Sequence, residues 1–276
     1  MSRTFNHIQV DPTRPHESWE AISTSQIWRR EMPLSLPQAL RKLRVVCISD
    51  THNLHEDIQV PLGDILIHAG DFTGTGTYRQ VSRFLSWFIS QPHTHKILVA
   101  GNHDLTLDAD HYDRSWFVFH RRGKLDDVAI RGLIDEAQPH LHYLEDSSVS
   151  IEGVHIYGSP WQPEFYAWGF NLPRGEACAQ AWRRIPSDTD LLITHGPPLG
   201  HGDVLVPAQT HCGCVDLLAE IQQRVKPAYH IFGHIHEGYG VTSDGVTTFI
   251  NASSCDVNYQ PIQPPIVFDI PHTRQD

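Results

Sequence analysis

Five times along this chain a short run of apolar, mostly β-branched residues stops on a cluster of Asp, His, Asn or Gly. That repetition limits the possible folds more than any other feature. The runs are Arg44–Ser49 before DTHN, Asp64–His68 before AGDF, Lys96–Ala100 before GNHD, Asp190–Thr194 before HGPP, and Ala228–Phe232 before GHIH. Continuous apolar runs of this length suit strands covered on both faces. Between them, Tyr78 to Gln91 places Val81, Phe84, Leu85, Phe88 and Ile89 on one helical stripe that Pro92 ends. Cys214 to Val225 is a second helical segment, with Val215, Leu218 and Ile221 on a shared side and Pro227 beyond it. Strands alternating with helices make βαβ units, and open sheets of that kind place ligands at the carboxyl ends of their strands, where all five clusters sit. Val149–Glu152 and Val154–Tyr157 read as a hairpin around Gly153, and Val246–Asn251 and Ile266–Ile270 as later strands, so a second sheet packed on the first is expected.

Residues 1–43 are rich in Pro, Ser and Arg, carry no clear strand pattern, and read as an N-terminal extension, helical around Thr24 to Glu31. Residues 44–276 read as one α/β domain without internal repeat, low-complexity tract or interdomain linker. With 32 acidic against 21 basic residues the formal net charge is −11, the wrong sign for a general nucleic-acid or membrane-surface binder. The opening residues lack a basic-then-apolar secretory signal and no apolar run approaches a bilayer span, so a cytoplasmic location is expected. The five cysteines are an odd, scattered set that suits free thiols, and Cys212-Gly-Cys214 is too short and isolated for a structural zinc site. Histidine is unusual at 20 residues, each a possible ligand. Pairs such as His93/His95 and His140/His142, beside Pro in loop-like sequence, read as solvated or structural.

Asp50, His52, Asp71, Asn102, His195, His234 and His236 together offer carboxylate, amide oxygen and imidazole groups, a mixture suited to Mn, Fe or Zn. Asp50-x-His52 and His234-x-His236 put both side chains on one side of an extended segment. Taken singly each cluster is weak evidence, since an Asp after a strand often caps the next helix. Their order is specific. DxH, GD, GNHD, THG and GHxH in this sequence resemble the calcineurin-like metallophosphoesterase superfamily, and DTHNLH, HAGDFTGTG, GSPWQPEF, WGFNLPRG, THGPPLGHGD, FGHIHEGYG and INAS resemble its MPPED branch, from about Arg44 to Ile270.

The resemblance implies a four-layer α/β/β/α sandwich of two mixed sheets flanked by helices, with two divalent ions at the strand ends. One ion would take Asp50, His52, Asp71 and His236, the other Asp71, Asn102, His195 and His234, with Asp71 bridging. Ions about 3.5–4 Å apart share a water as a bridging hydroxide and hold it in line with phosphorus. His103, beside Asn102, is then the expected catalytic residue, facing the substrate and stabilising charge or protonating the leaving oxygen. Ser/Thr protein phosphatases continue the second motif as GDxVDRG; GDFTGTG here departs from that and points away from phosphoproteins.

The implied activity is phosphodiester hydrolysis on a small substrate such as a cyclic nucleotide. Phosphomonoester hydrolysis on nucleotides or sugar phosphates, and low-turnover nucleotide binding, are the alternatives. Asn53, Trp161 and Phe165 are candidate substrate contacts. The aromatic stretch Trp161 to Phe170 reads equally as a wall that stacks a nucleobase and as a satellite core pinning a loop.

Overall fold

Side-chain alternation along the strands decides where the layers form. In the computed structural model, which describes residues 2–31 and 42–271, the strand Lys42–Ile48 turns Val45 and Cys47 to one side and Val46 and Ile48 to the other. All four are fully buried. The first pair joins a core with Ile65, Ile67, Ile97 and Val99 that faces Ile156, Leu191, Ile193, Ile231 and Ile250. The second pair packs with Leu66 and Leu98 under Val81, Phe84, Phe88, Ile130 and Ile134. A third cluster sets Tyr157, Leu192, Phe232 and Phe249 against Cys178, Trp182, Leu217 and Ile221. Two sheets therefore meet face to face, and each carries helices on its outer side, the expected four-layer α/β/β/α sandwich.

The smaller sheet orders its strands Ile266–Pro271, Lys42–Ile48, Ile65–Ala69, His95–Val99 and His142–Tyr143, antiparallel at the first pairing and parallel thereafter. The larger runs Arg29–Glu31, Gly240–Ser243, Thr248–Asn251, Tyr229–Phe232, Leu191–Thr194, Val154–Ser159 and Ser147–Ile151, parallel across its middle and antiparallel towards its edges. The helix Tyr78–Ser90 begins at a capping box in which Thr77 accepts from the Gln80 amide, and it buries the expected stripe. The second expected helix is α-helical over Val215–Glu220 and widens to one π turn at Ile221–Val225, closed by left-handed Lys226 (φ 51°) before Pro227. Helices Ala109–Phe119, Asp127–Ala137 and Glu176–Trp182 were not anticipated. Among the described residues no helix is long and apolar enough to cross a membrane.

The N-terminal residues differ from the expectation. The helix lies at Pro15–Ile22, started by Pro at its first turn, while Arg29–Glu31 is an edge strand paired with Gly240–Ser243. A hairpin of Arg3–Phe5 with Ile8–Val10 precedes them. Phe5, Val10 and Ile22 pack on Leu199, Val215 and Leu218. Tertiary pairing overrides the weak local strand preference of Arg-Arg-Glu. The remainder of the expected extension, residues 1 and 32–41, lies outside the described residues.

Phe84 has no exposed surface and stacks between Phe72 and Phe88, with ring centroids 4.5 and 5.3 Å away. Phe84→Ala is expected to lower the unfolding free energy by about 3–5 kcal/mol. Tyr78→Ala, at a position 54% exposed, should change it by no more than about 0.5 kcal/mol. Urea midpoints at unchanged m-value check both.

Acid stability follows from three histidines away from the surface. Burial holds His68 down to about 3, His201 down to about 4, and His230 well below the ordinary value. The unfolded chain protonates these rings near 6.5 and the folded chain does not, so stability falls as pH drops below that point. The expected slope approaches about 1.4 kcal/mol per pH unit for each histidine. His201→Gln should flatten the decline between pH 6.5 and 5 by one such share, measured as unfolding free energy against pH; an unaltered slope would count against it.

Candidate metal centre

The five polar clusters leave strands of both sheets where the sheets touch. A bridge joins Ser49 to Ser253, the Ser254 amide donates to Ser49 O (2.8 Å), and the Gly233 amide donates to His195 O (3.0 Å). Asp50, His52, Asp71 and His234 all sit at positive φ (51°, 41°, 58° and 68°), the left-handed region that turns each chain sharply as its strand ends. Gly101 and Gly233 permit the closeness. A Cβ on Gly101 would strike the Asp71 carboxylate, and one on Gly233 would strike those of Asp50 and the Ser49 hydroxyl.

Asp50 is fully buried and accepts hydrogen bonds from the His234 amide (3.0 Å) and the Ser253 hydroxyl (3.0 Å). Its Oδ1 lies 3.4 Å from His236 Nε2, which is 3.2 Å from His52 Nε2. The His236 Nδ1–H donates to Asp256 O (2.9 Å), so Nε2 is the nitrogen left to face the carboxylate. The second half of the site repeats this. His195 Nδ1–H donates to Ala69 O (2.9 Å), leaving Nε2 at 2.9 Å from Asn102 Oδ1 and 3.3 Å from Asp71 Oδ2. Asp71 Oδ2 is also 3.9 Å from His52 Nε2, and Asp71 Oδ1 accepts the His103 amide (2.7 Å).

Burial by itself would raise both carboxylates. For Asp50 the hydrogen bond from His236 and the charges of His195 and His236 outweigh it, and for Asp71 the charges of His195 and His103 do, so both stay below the usual carboxylate range. Burial would likewise lower His195 and His236. The Asp71 charge and the Asp50 hydrogen bond, respectively, lift them to about 9. His52 and His234, governed by burial, fall to about 4 and about 3. Acceptor atoms thus converge at two places, each beside a buried carboxylate, which is where a cation fits. The donor set agrees: Asp50, His52 and His236 bring ligand atoms within 4.8 Å of one another, and so do Asp71, His195 and His234.

Asp104, fully buried, accepts from the amides of Asp71 (3.0 Å), Gly101 (2.8 Å) and Thr73 (2.9 Å) and from the Thr73 hydroxyl (2.8 Å), tying the second cluster to the third. Burial first, then the facing Asp71, push it up to about 7.

A cleft of about 200 Å3 opens over these groups, lined by His52, Asp71, Asn102, His103, His234 and His236 with Phe165, Leu205, Glu237 and Tyr259 at its sides. Phe165 meets His234 edge-on (5.4 Å). Two other expected contacts are not among the residues lining this cleft. Trp161 is half-buried and packs against the core, its indole N–H donating to Asp146 Oδ2 (2.9 Å). Asn53 turns towards Gly74, outside the cleft lining.

Sequence reasoning missed Trp168, stacked on His103 at 3.7 Å, and Tyr259, edge-on to His52 at 4.8 Å. The aromatic run ending in WGF held the signal for Trp168; Tyr259 lies in a loop without pattern. Cys178, Cys214 and Asp216 also lie close together. There Asp216 accepts from Arg3 Nε (2.5 Å) and Cys214 Sγ from the Trp182 indole (3.2 Å), in an interior of free thiols. His93 is buried, with Nε2 at 3.0 Å from Pro61 O, a structural role.

The family model described as calcineurin-like phosphoesterase matches residues 43–238. Metallophosphoesterase domain-containing protein 1 of Homo sapiens is 49% identical over 247 residues, covering 88% of this chain and 76% of that protein, and its namesake in Mus musculus matches equally. A UPF0046 protein of Caenorhabditis elegans is 40% identical over 276 residues, with 96% of each chain covered. One chain of known crystal structure shares the fold at a TM-score of 0.56 and 14% identity, covering 84% of this chain and 100% of that one. The likeness fits the MPPED branch. The matched residues take in all five clusters, and the chain belongs to the calcineurin-like phosphoesterase family, whose chemistry is metal-dependent phosphoester hydrolysis.

Proposed function

We propose that this protein is a phosphodiesterase for small substrates, with cyclic nucleotides the first class to test, and that it works at a dinuclear centre of Mn, Fe or Zn. Asp50, His52, Asp71 and His236 hold one ion in this reading; Asp71, Asn102, His195 and His234 hold the other. The observation that carries it is the pairing of two convergent ligand groups around Asp71, which lies between His52 (3.9 Å) and His195 (3.3 Å). When bound, the metal pair supplies charge neutralisation at the phosphoryl oxygens and water of lowered pKa.

The chain's own contribution falls to orientation and proton handling. The Asp71 carboxylate is held through Oδ1 by the His103 amide, which leaves Oδ2 towards His195 and His52. His103 lines the cleft. Its Nδ1 lies 2.9 Å from Gly74 O and so carries the donated hydrogen, and Trp168 covers one ring face at an interplanar angle of 24°. Nε2 is then the end presented to substrate; when the ring carries a second proton there, as imidazolium, it would stabilise a phosphoryl oxygen or pass that proton to the departing one. The imidazole of His103 also comes close to His52 and Asp71, but a ring with Nδ1 so engaged and its face stacked is positioned for the substrate.

Chelated protein should be inactive on bis-p-nitrophenyl phosphate and recover with added Mn, Fe or Zn. An activity indifferent to chelation would end the reading. Assaying phosphomonoesters, linear diesters and 2′,3′- and 3′,5′-cyclic nucleotides in parallel decides between diester and monoester preference.

His103→Ala should lower kcat by about 10²–10⁴-fold while metal content stays that of the parent. Asp71→Asn should lose metal as well as turnover. Full turnover of His103→Ala at retained metal content would remove His103 from the chemistry.

A further inference from the structure

The cleft over the metal ligands is short of positive charge. Apart from those ligands and His103, it is lined by Phe165, Leu205, Ile235, Val257, Tyr259 and Glu237, and among the described residues no Lys or Arg joins them. Arg174 comes close from behind. It lines a separate cavity of about 70 Å3 that shares Phe165, Leu205, His234 and Ile235 with the cleft, but its guanidinium donates to Gly213 O (2.8 Å) and to Cys212 O. Those bonds commit it to the chain. The charge that the cleft carries outside the metal ligands and His103 is therefore negative, the carboxylate of Glu237.

Local structure fixes where that carboxylate stands. Glu237 sits inside the turn His236–Gly238, next to a metal ligand, and its Oε1 accepts the Val206 amide (3.4 Å). The bond draws the side chain to the strand Val204–Leu205, whose Leu205 lines the same cleft. Glu237 is exposed, and Arg30, which lines the neighbouring pocket with it, forms no ion pair with it. A carboxylate left unneutralised at the mouth weighs against any ligand whose charge exceeds what the centre can balance. Two divalent ions against the Asp50 and Asp71 carboxylates would leave two positive charges for the attacking hydroxide and the substrate together. A phosphodiester, with one negative charge, meets that balance. A phosphomonoester, with a second pKa of about 6 and so nearly two charges above neutrality, exceeds it. The cleft has no guanidinium or ammonium to take the excess. A diester's second ester group, in turn, finds apolar walls at Phe165, Leu205 and Val257.

We propose that Glu237 is a specificity-determining residue, whose charge makes the cleft prefer singly charged phosphodiesters to doubly charged phosphomonoesters. The proposal rests on the phosphoesterase reading and places the diester preference in one side chain that neither binds metal nor takes part in the chemistry.

The test compares bis-p-nitrophenyl phosphate with p-nitrophenyl phosphate on the full, Mn-loaded chain, as the ratio of kcat/KM for the diester to that for the monoester. At about pH 8 and low salt, Glu237→Gln, similar in shape and uncharged, should lower that ratio about two- to fivefold, the worth of one exposed charge. Glu237→Asp should keep most of it. In about 1 M NaCl, where charges are screened within about 3 Å, the parent and Glu237→Gln should converge. Calorimetry adds a readout apart from turnover. Phenylphosphonate, which is dianionic under the same low-salt conditions and has no ester bond to break, should bind Mn-loaded Glu237→Gln more tightly than the parent by a similar factor, at equal metal content. An unmoved ratio in Glu237→Gln, a difference that salt leaves intact, an unchanged phenylphosphonate affinity, or metal lost from the variant would each overturn the assignment. Diester turnover by the parent with an unmoved ratio in the variant sinks the role of Glu237 alone, and absence of turnover with Mn, Fe and Zn sinks the phosphoesterase reading.

Discussion

Two buried carboxylates, Asp50 and Asp71, set the terms for everything around them. Neither exposes more than 2% of its surface, and their ion-pair partners among the described residues are histidines. An ion taken out of water and left uncompensated costs several kcal/mol. The fold meets part of that cost with fixed donors: the His234 and His103 amides and the Ser253 hydroxyl. The rest falls on the imidazoles, which with Asn102 Oδ1 turn acceptor atoms towards the same places. A site that gathers so many lone pairs around two negative charges is stable only with cations among them, whether protons or metal ions.

The sandwich exists in a form that makes this gathering possible. Carboxyl ends of parallel strands from both sheets arrive at one seam, and the turns that follow have no room to widen, because each is hydrogen-bonded to the next. The Asp50 amide donates to Gly70 O, the Asp71 amide to Asp104 Oδ2, and the Gly233 amide to His195 O. Left-handed backbone at non-glycine residues costs of order 1–3 kcal/mol each. Four residues of the centre adopt it. Such strain persists only where the surroundings over-determine it, and here the fully buried strand residues preceding each turn, such as Ile48, Ala69 and Phe232 at 0–1% exposure, leave the chain no cheaper exit.

What could be read in advance follows from the same physics. Continuous apolar runs announced the central strands, since a strand covered on both faces has no polar positions to blur it, and the polar clusters announced their ends. The helix Tyr78–Ser90 was legible through its stripe and its stop at Pro92. Ala109–Phe119 and Asp127–Ala137 were not, because each buries only two or three residues, too few to mark a stripe. Arg29–Glu31 was illegible as a strand because its partner, not its composition, makes it one. Trp161 and Phe165 looked alike in sequence, four residues apart. Only the packing shows that one finds its acceptor at Asp146 while the other borders the cleft.

The imidazoles divide into two kinds, and the division has a consequence for how the centre fills. His52 and His234, at about 4 and about 3, are neutral near pH 7 and offer lone pairs at no proton cost. His195 and His236, at about 9, carry protons that their carboxylate neighbours hold in place. In the proposed dinuclear reading, a divalent ion entering either half would displace one of these protons, since both need the same lone pair. In the proposed reading, affinity for metal would therefore climb with pH as those two rings lose their protons. The carbonyls of Ala69 and Asp256 then do double duty. By taking the Nδ1 hydrogen, they keep each Nε2 aimed at its carboxylate, so that in the proposed reading a metal ion could replace the proton without either imidazole turning.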